Sequence, residues 1–251
     1  MKNRSDLDDI MLQKSIVEVH FPKKNTTLSY FNDRSPLNCG DLVYVEGKLA
    51  GITGRVVSLN YNFKIKASEY KRVTSVVDTN VSGQFHMAGS HFVSFDPDAL
   101  PKSKVRSWYF DPHSNNEDFI YGSDGYIFSL NNLKEMKITE KIAERGYNYY
   151  MDNRVRYICL NGTEGYAIIE GTEPYEVEFQ YVDGNIRSLN CSCLCGFDCK
   201  HEFAAMLQLK ETLGIIEKNY TGLYKNYFSA VNKATLFAYA IDGKTTGSFL
   251  L

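Results

Sequence analysis

The run Cys191-Ser192-Cys193-Leu194-Cys195-Gly196-Phe197-Asp198-Cys199-Lys200-His201 places four cysteines and a histidine within eleven residues. Nothing else in the chain restricts its folding so tightly. Six cysteines occur in all, and the other two, Cys39 and Cys159, stand alone. The opening residues Met1 to Asp9 are polar and acidic, so no secretory leader is expected. No stretch approaches the ~20 apolar residues of a membrane span. The expectation is a soluble, cytoplasmic protein without membrane contact, whose thiols stay reduced. Thiols crowded in such a compartment point to a metal ion before a disulfide framework. Buried structural thiols have no reason to crowd between a strand and a helix in this way.

A Zn²⁺ ion takes four nitrogen or sulfur ligands in a tetrahedron. Cys191 and Cys193 can both face one ion if Ser192 sits on a tight turn. The loop 194–198, with Gly196 as its flexible point, then brings the chain back. Cys199 and His201 complete the set at the first turn of a helix. The result is a closed Cys3His site with one ion and no open coordination position, the arrangement of a structural site. Three thiolates and Zn²⁺ sum to about −1, a sign that the free N–H groups of a helix N-terminus favour. Lys200 adds a compensating charge between two ligands. Binding of the ion becomes folding energy for the loop. Cys195 is the ambiguity: it replaces one of the other thiolates or stays outside the set. The matched Cys-x-Cys and Cys-x-His pairs at the two ends of the loop favour the second. A redox switch ranks low, because a thiolate held by zinc is less open to oxidation.

The flanks carry two different periods. Tyr175, Val177, Phe179 and Tyr181 alternate with Glu176, Glu178 and Gln180, a strand with one buried face and one wet face. Asp183-Gly184 is a hairpin turn signal, and Ile186 to Leu189 is the return strand leading into Cys191. After His201 the period changes. Phe203, Met206, Leu207 and Leu213 make a helix face ended by Gly214. A second helix is expected from about Leu223 to Ala240, and an earlier one from Leu133 to Arg145, ended by Gly146.

These residues resemble the SWIM zinc finger family over roughly residues 138–213. The resemblance lies in Arg145-Gly146-Tyr147-Asn148-Tyr149-Tyr150, the strand bearing Tyr175, Cys191-Ser192-Cys193, and Cys199-Lys200-His201 followed by Glu202-Phe203-Ala204-Ala205. The family pattern is Cys-x-Cys, a variable loop, then Cys-x-His. It implies Cys191, Cys193, Cys199 and His201 as ligands. It further implies a ββα zinc module that binds DNA or proteins, either within bacterial ATPases or as a small stand-alone protein.

The front of the chain reads as short strands. Residues 15–21, 27–31, 40–45 and 54–59 follow one another as short strands with glycine punctuation, the pattern of a small barrel. This half faintly resembles the small barrel that opens primosomal helicase proteins, which implies contact with DNA ends or forks. Residues 81–95 suggest a further hairpin. The prolines at 97, 101 and 112 mark a boundary. The expected fold is α+β: a mainly β, barrel-like domain over 1–110, a connector over 111–137, the zinc module over 138–213 and a helical segment over 214–251.

Charge narrows the function. With 28 basic and 30 acidic residues the chain cannot hold DNA by bulk charge. A local basic run remains in Lys102, Lys104 and Arg106, interleaved with Trp108, Tyr109 and Phe110. Such a surface can pair phosphates and stack bases. Its competing reading is a linker strand whose Trp108 enters a core. Similar weight attaches to Lys64, Lys66, Lys71 and Arg72 near Tyr61, Phe63 and Tyr70. Gly243-Lys244-Thr245 lacks the earlier glycine of a phosphate loop, since position 238 is Ala. No nucleophile elbow, carboxylate pair or dinucleotide loop is present, so no enzyme and no small-molecule substrate is expected. The expected partner is DNA, contacted through Lys102, Lys104, Arg106, Trp108 and Lys200. A protein-interaction adaptor and a front-end module of a SNF2-type helicase are the alternatives.

Overall fold

The structure is a computed structural model that describes residues 13–89, 91–95, 99–113, 125–193, 195–220, 222 and 227–241. The chain divides into two compact units. The first comprises residues 1–79 and 107–115, and the second 80–106 and 116–251.

In the first unit, five strands form one antiparallel sheet: β1 (Ser15–Phe21), β2 (Thr26–Asn32), β3 (Leu42–Val45), β4 (Gly54–Asn60) and β5 (Val73–Val76), in the order β2-β1-β4-β3-β5. The alternation in β1 turns Val17, Val19 and Phe21 inward, where Tyr30, Leu37, Val43, Val45, Val56 and Val73 complete the core. The expected barrel is corrected to an open sheet. Its edges β2 and β5 approach at one point, through the isolated bridge of Phe31 with Arg72 and the Phe31 N–H donating to the Lys71 carbonyl at 2.9 Å. β5 has only four residues, too short to carry a continuous ladder along the seven of β2.

The second unit holds an eight-stranded antiparallel sheet. In chain order its elements are β6 (Phe85–Met87), β7 (Phe92–Phe95), α1 (Lys102–Tyr109), β8 (Ile127–Ser129), α2 (Glu140–Met151), β9 (Val155–Asn161), β10 (Glu164–Glu170), β11 (Pro174–Val182), β12 (Asn185–Cys191), α3 (Lys200–Asn219), β13 (Tyr227–Asn232) and α4 (Lys233–Leu236). The strand order is β6-β7-β13-β9-β10-β11-β12-β8. The division between units falls inside α1, after Arg106. The expected hairpin of residues 81–95 forms, as β6 and β7, at the edge of this larger sheet. Asp183 and Gly184, both at positive φ (50° and 81°), close the β11–β12 hairpin in the geometry a two-residue turn demands. The core gathers Ile158, Ala167, Ile169, Val177, Phe179 and Ile186 of the sheet under Ala204, Ala205, Met206 and Leu209 of α3.

Three helix expectations are corrected. Residues 133–145 do not form one helix: a single 3-10 turn spans Leu133–Glu135, and α2 starts later, where the Thr139 hydroxyl accepts the Ile142 N–H at 3.3 Å. Gly146 does not end α2 but lies buried in its middle. A Cβ there would stand 2.8 Å from the Lys200 carbonyl oxygen and 2.9 Å from Phe203, so glycine is what lets α2 meet α3. Gly214 likewise lies within α3, on an exposed face. Residues 227–232 form a strand, not a helix, because β13 sits between β7 and β9 and is buried along nearly its whole length. The same apolar residues satisfy a helical stripe or a strand buried on both faces. Residues 223–226 and Gly243-Lys244-Thr245 lie outside the described residues, as do Pro97 and residues 114–116.

No helix among the described residues is long and apolar enough to cross a membrane.

Candidate metal centre

Two elements deliver the donors. β12 ends at Cys191, in register opposite Val177 of β11. One residue on, Ser192 is fixed by two bonds to Glu176: its N–H donates to the Glu176 carbonyl at 2.8 Å, and its hydroxyl accepts the Glu176 N–H at 2.9 Å. The chain then turns, so that Cys193 approaches Cys191 and its N–H points at the Cys191 Sγ at 3.4 Å. On the other side Cys199 is the N-cap of α3, and its N–H donates to the Glu202 carboxylate. His201 follows in the first turn.

The ligand atoms of Cys191, Cys193, Cys199 and His201 all lie within 4.8 Å of one another. His201 Nδ1 is 3.7 Å from the Sγ of Cys191 and 3.7 Å from that of Cys199. A tetrahedron with Zn–S of about 2.3 Å and Zn–N of about 2.0–2.1 Å has edges of roughly 3.5–3.8 Å. The two distances from His201 match those edges, and a set of three sulfurs and one imidazole nitrogen could hold a divalent metal ion. Cys195 stays outside it and is exposed.

The surroundings set the imidazole. Its ring stacks on Tyr175 with centroids 4.2 Å apart and 20° between planes, and the Tyr149 ring meets it edge-on at 5.3 Å. Nε2 is buried with no hydrogen-bond partner, so Nδ1, which faces the sulfurs, is the donor atom of this ring. Lys200 Nζ lies 4.6 Å from the Tyr149 ring centroid, and the Arg154 guanidinium carbon 5.0 Å from it.

Three sulfurs this close cannot all be thiolates without a cation. Hydrogen bonds from Cys191 and Cys199 hold the Cys193 thiol far below its ordinary range. Its bond to Cys193 pushes the Cys191 thiol up, and bonds to Cys191 and Cys193 push Cys199 up. Each of these shifts comes first from a hydrogen bond between one sulfur and another. A bound divalent cation is what would let all three ionise. Burial pushes the Glu202 carboxyl up to about 7.

The residues proposed to meet nucleic acid lie on α1 and beside the ligands. Lys102 Nζ is 2.8 Å from Glu178 Oε1 and 4.0 Å from the Tyr166 ring centroid. Lys104 Nζ donates to the Asn80 carbonyl at 2.7 Å. Arg106 grips Glu176 through Nε at 2.7 Å and an Nη at 3.1 Å, and its pKa rises through that bond. Trp108 is fully buried, and its Nε1–H donates to the Asp78 carbonyl at 2.8 Å. In the first unit Arg72 pairs with Asp33 and lies over Phe31, and Lys66 pairs with Glu69, while Lys64 and Lys71 are exposed.

Sequence reasoning did not find the supports of the centre. Glu202 stands three residues after the N-cap, as in a capping box, but a cysteine at the N-cap hides the pattern. Asp198 accepts the Lys137 N–H at 3.1 Å and ties the metal loop to the segment before α2, a link of 61 residues with no local signal.

Comparison of the chain with family models, with curated proteins and with solved structures finds no match.

Proposed function

We propose that this chain is a zinc-binding protein in which one Zn²⁺, held by Cys191, Cys193, Cys199 and His201, fixes a SWIM-type finger and performs no chemistry itself. The observation that carries the reading is the convergence of three sulfurs and one imidazole nitrogen within 4.8 Å of one another, with the nitrogen 3.7 Å from two of the sulfurs. Soft sulfur donors with an imidazole suit zinc over magnesium or calcium. Four protein donors fill a tetrahedral ion and leave no position for water or substrate, which supports a non-catalytic role. The succession β11, β12, metal loop, α3 supports the ββα order that the SWIM resemblance implies.

The finger then serves binding, and DNA is the ligand that follows from the resemblance. The test is elemental analysis of purified protein together with an electrophoretic shift of single- and double-stranded DNA at low salt. One zinc per chain and a shift abolished by a chelator are the expected results. One zinc with no shift of either DNA overturns the DNA reading and leaves the metal reading standing.

A second reading, a protein-docking module, is favoured by one observation. Lys102, Lys104 and Arg106 are already held by Glu178, the Asn80 carbonyl and Glu176. The second unit carries 16 basic and 20 acidic residues, a balance that suits a protein partner better than a phosphate backbone. Recovery of one defined partner after nuclease treatment supports this reading. If the chain is instead a front-end module of a SNF2-type helicase, it hydrolyses no ATP alone.

A further inference from the structure

We propose that the cleft between α2 and α3 binds an amphiphilic anion, a small molecule with an aliphatic body and one carboxylate or phosphate head. None of the metal ligands lines this cleft, so the proposal is independent of the metal reading.

The cleft follows from how the two helices meet. They touch at Gly146, where a Cβ would stand 2.8 Å from the Lys200 carbonyl oxygen. Toward the start of α2, and further along α3, a cavity of about 740 Å³ opens between them. The chain before α2 supplies the third wall. There the 3-10 turn Leu133–Glu135 ends and Thr139 caps a new helix, so Met136 and Ile138 border the gap instead of closing it. Phe203, Leu207 and Lys210 of α3 recur three or four residues apart, as do Glu140 and Ala143 of α2. Each helix therefore gives the cavity one stripe.

The lining is divided by chemistry. Met136 is buried at the floor, and Leu133, Ile138, Phe203 and Leu207 are only half-buried around it. An apolar cavity with a few polar groups at its edge, and a volume within about 300–1,000 Å³, is the form of a small-molecule site. The rim carries two cations, Lys134 and Lys210, against one carboxylate, Glu140. Lys134 is exposed and makes no ion pair or hydrogen bond among the described residues. Its neighbour Glu135 is engaged elsewhere, accepting the Ser129 N–H at 3.0 Å and the Asn132 side-chain amide at 2.8 Å. Lys210 Nζ donates to the Asn131 carbonyl at 3.0 Å, which holds the ammonium at the mouth and uses one of its three N–H groups. Glu140 stands in the first turn of α2, where the helix dipole answers a negative charge. What remains is positive charge over an apolar floor. Its complement is an aliphatic chain that displaces water from the floor, with an anionic head that meets the two ammonium groups.

Calorimetric titration of the full-length chain, with ligands kept below their micelle concentrations, tests this. Decanoate and decyl phosphate separate the two heads, and decanol and decyltrimethylammonium are the neutral and cationic controls. At least one of the anions is expected to bind at one site per chain, at least about tenfold more tightly than decanol, with the cation weakest. Shortening the bound anion is expected to weaken it about fourfold per methylene removed. Methyl resonances of Leu133, Ile138 and Leu207 are expected to move during the titration. Lys134→Glu/Lys210→Glu is expected to lower anion affinity about tenfold or more and to abolish the preference over decanol. Lys134→Glu alone breaks no bond of the fold and is expected to show part of that loss, so the test survives if the double variant does not fold. Binding of neither anion overturns the inference, whether or not the protein holds zinc. An affinity unmoved by Lys134→Glu, or by chain length, also overturns it. If decanol binds as tightly as the anions, the cleft is a seat for an uncharged apolar segment and the inference fails.

Discussion

Two polar clusters of the second unit, the Cys191–His201 donors and the Lys102–Arg106 turn of α1, are built on opposite principles. At α1 each cation has a partner from its own chain: Glu178 for Lys102, a carbonyl for Lys104 and a bidentate carboxylate for Arg106. The charges close on themselves. At the start of α3 three sulfurs and one imidazole nitrogen, all groups that can bind a metal, are brought within 4.8 Å of one another. No Lys or Arg nitrogen is among those four atoms, and their contacts run between the sulfurs and to the His201 Nδ1. A cluster of the first kind is complete as it stands. One of the second kind calls for a cation from outside, and that difference, more than residue type, separates structural polarity from a binding site.

The largest effect that would break this contrast comes from removing the ion. Chelation, or His201→Ala, is expected to cost the metal loop and the first turn of α3 about 5 kcal/mol or more of local stability. Hydrogen exchange should rise steeply over residues 191–203 while β9, β10 and β11 keep their protection, since their core does not depend on the loop. Collapse of the whole sheet would mean that the two clusters are not separable. Zinc affinity should also fall as pH drops from 7.5 toward 5, because thiols with ordinary pKa near 8.5 must lose protons to bind. Competition titration across that range reads the slope.

Next in size is Gly146→Ala. The added methyl meets the Lys200 carbonyl and Phe203 at under 3 Å. Overpacking of this kind costs about 1–3 kcal/mol. Urea unfolding should show it, and zinc affinity should fall with it, because Lys200 lies between two ligands.

Arg106→Ala should destabilise by about 1–2 kcal/mol, the range for charge-assisted hydrogen bonds discounted for partial exposure. A double-mutant cycle with Glu176→Gln reads the coupling. Smallest is Lys102→Ala, whose pair with Glu178 is half exposed and is worth at most about 0.5 kcal/mol. If it lowers DNA affinity several-fold at constant stability, α1 is a nucleic-acid surface after all.

The metal donors were legible because their chemistry is local. Three sulfurs and an imidazole within eleven residues can reach one point whatever surrounds them, and a period of two followed by a helical face places them between strand and helix. The β11–β12 hairpin was equally plain in Asp183-Gly184. What stayed hidden depends on distant neighbours. The basic run of α1 reads the same whether Glu176 and Glu178 lie opposite or not. Gly146 reads as a stop signal until Phe203 and the Lys200 carbonyl are seen against it. Tyr227–Asn232 fits helix or buried strand equally, and only the gap between β7 and β9 decides. The barrel failed for a related reason: strand spacing counts strands but does not say whether the last is long enough to zip onto the first.

Trp108 is the only tryptophan of the chain, and it lies in the segment of α1 that belongs to the first unit. The imidazole at the metal centre is instead overlain by a tyrosine ring at 4.2 Å. Each unit thus carries its own reporter without any label. Indole emission follows melting of the first unit. The ring-current displacement that Tyr175 imposes on the His201 proton resonances follows the second, and the two transitions can be recorded on one sample.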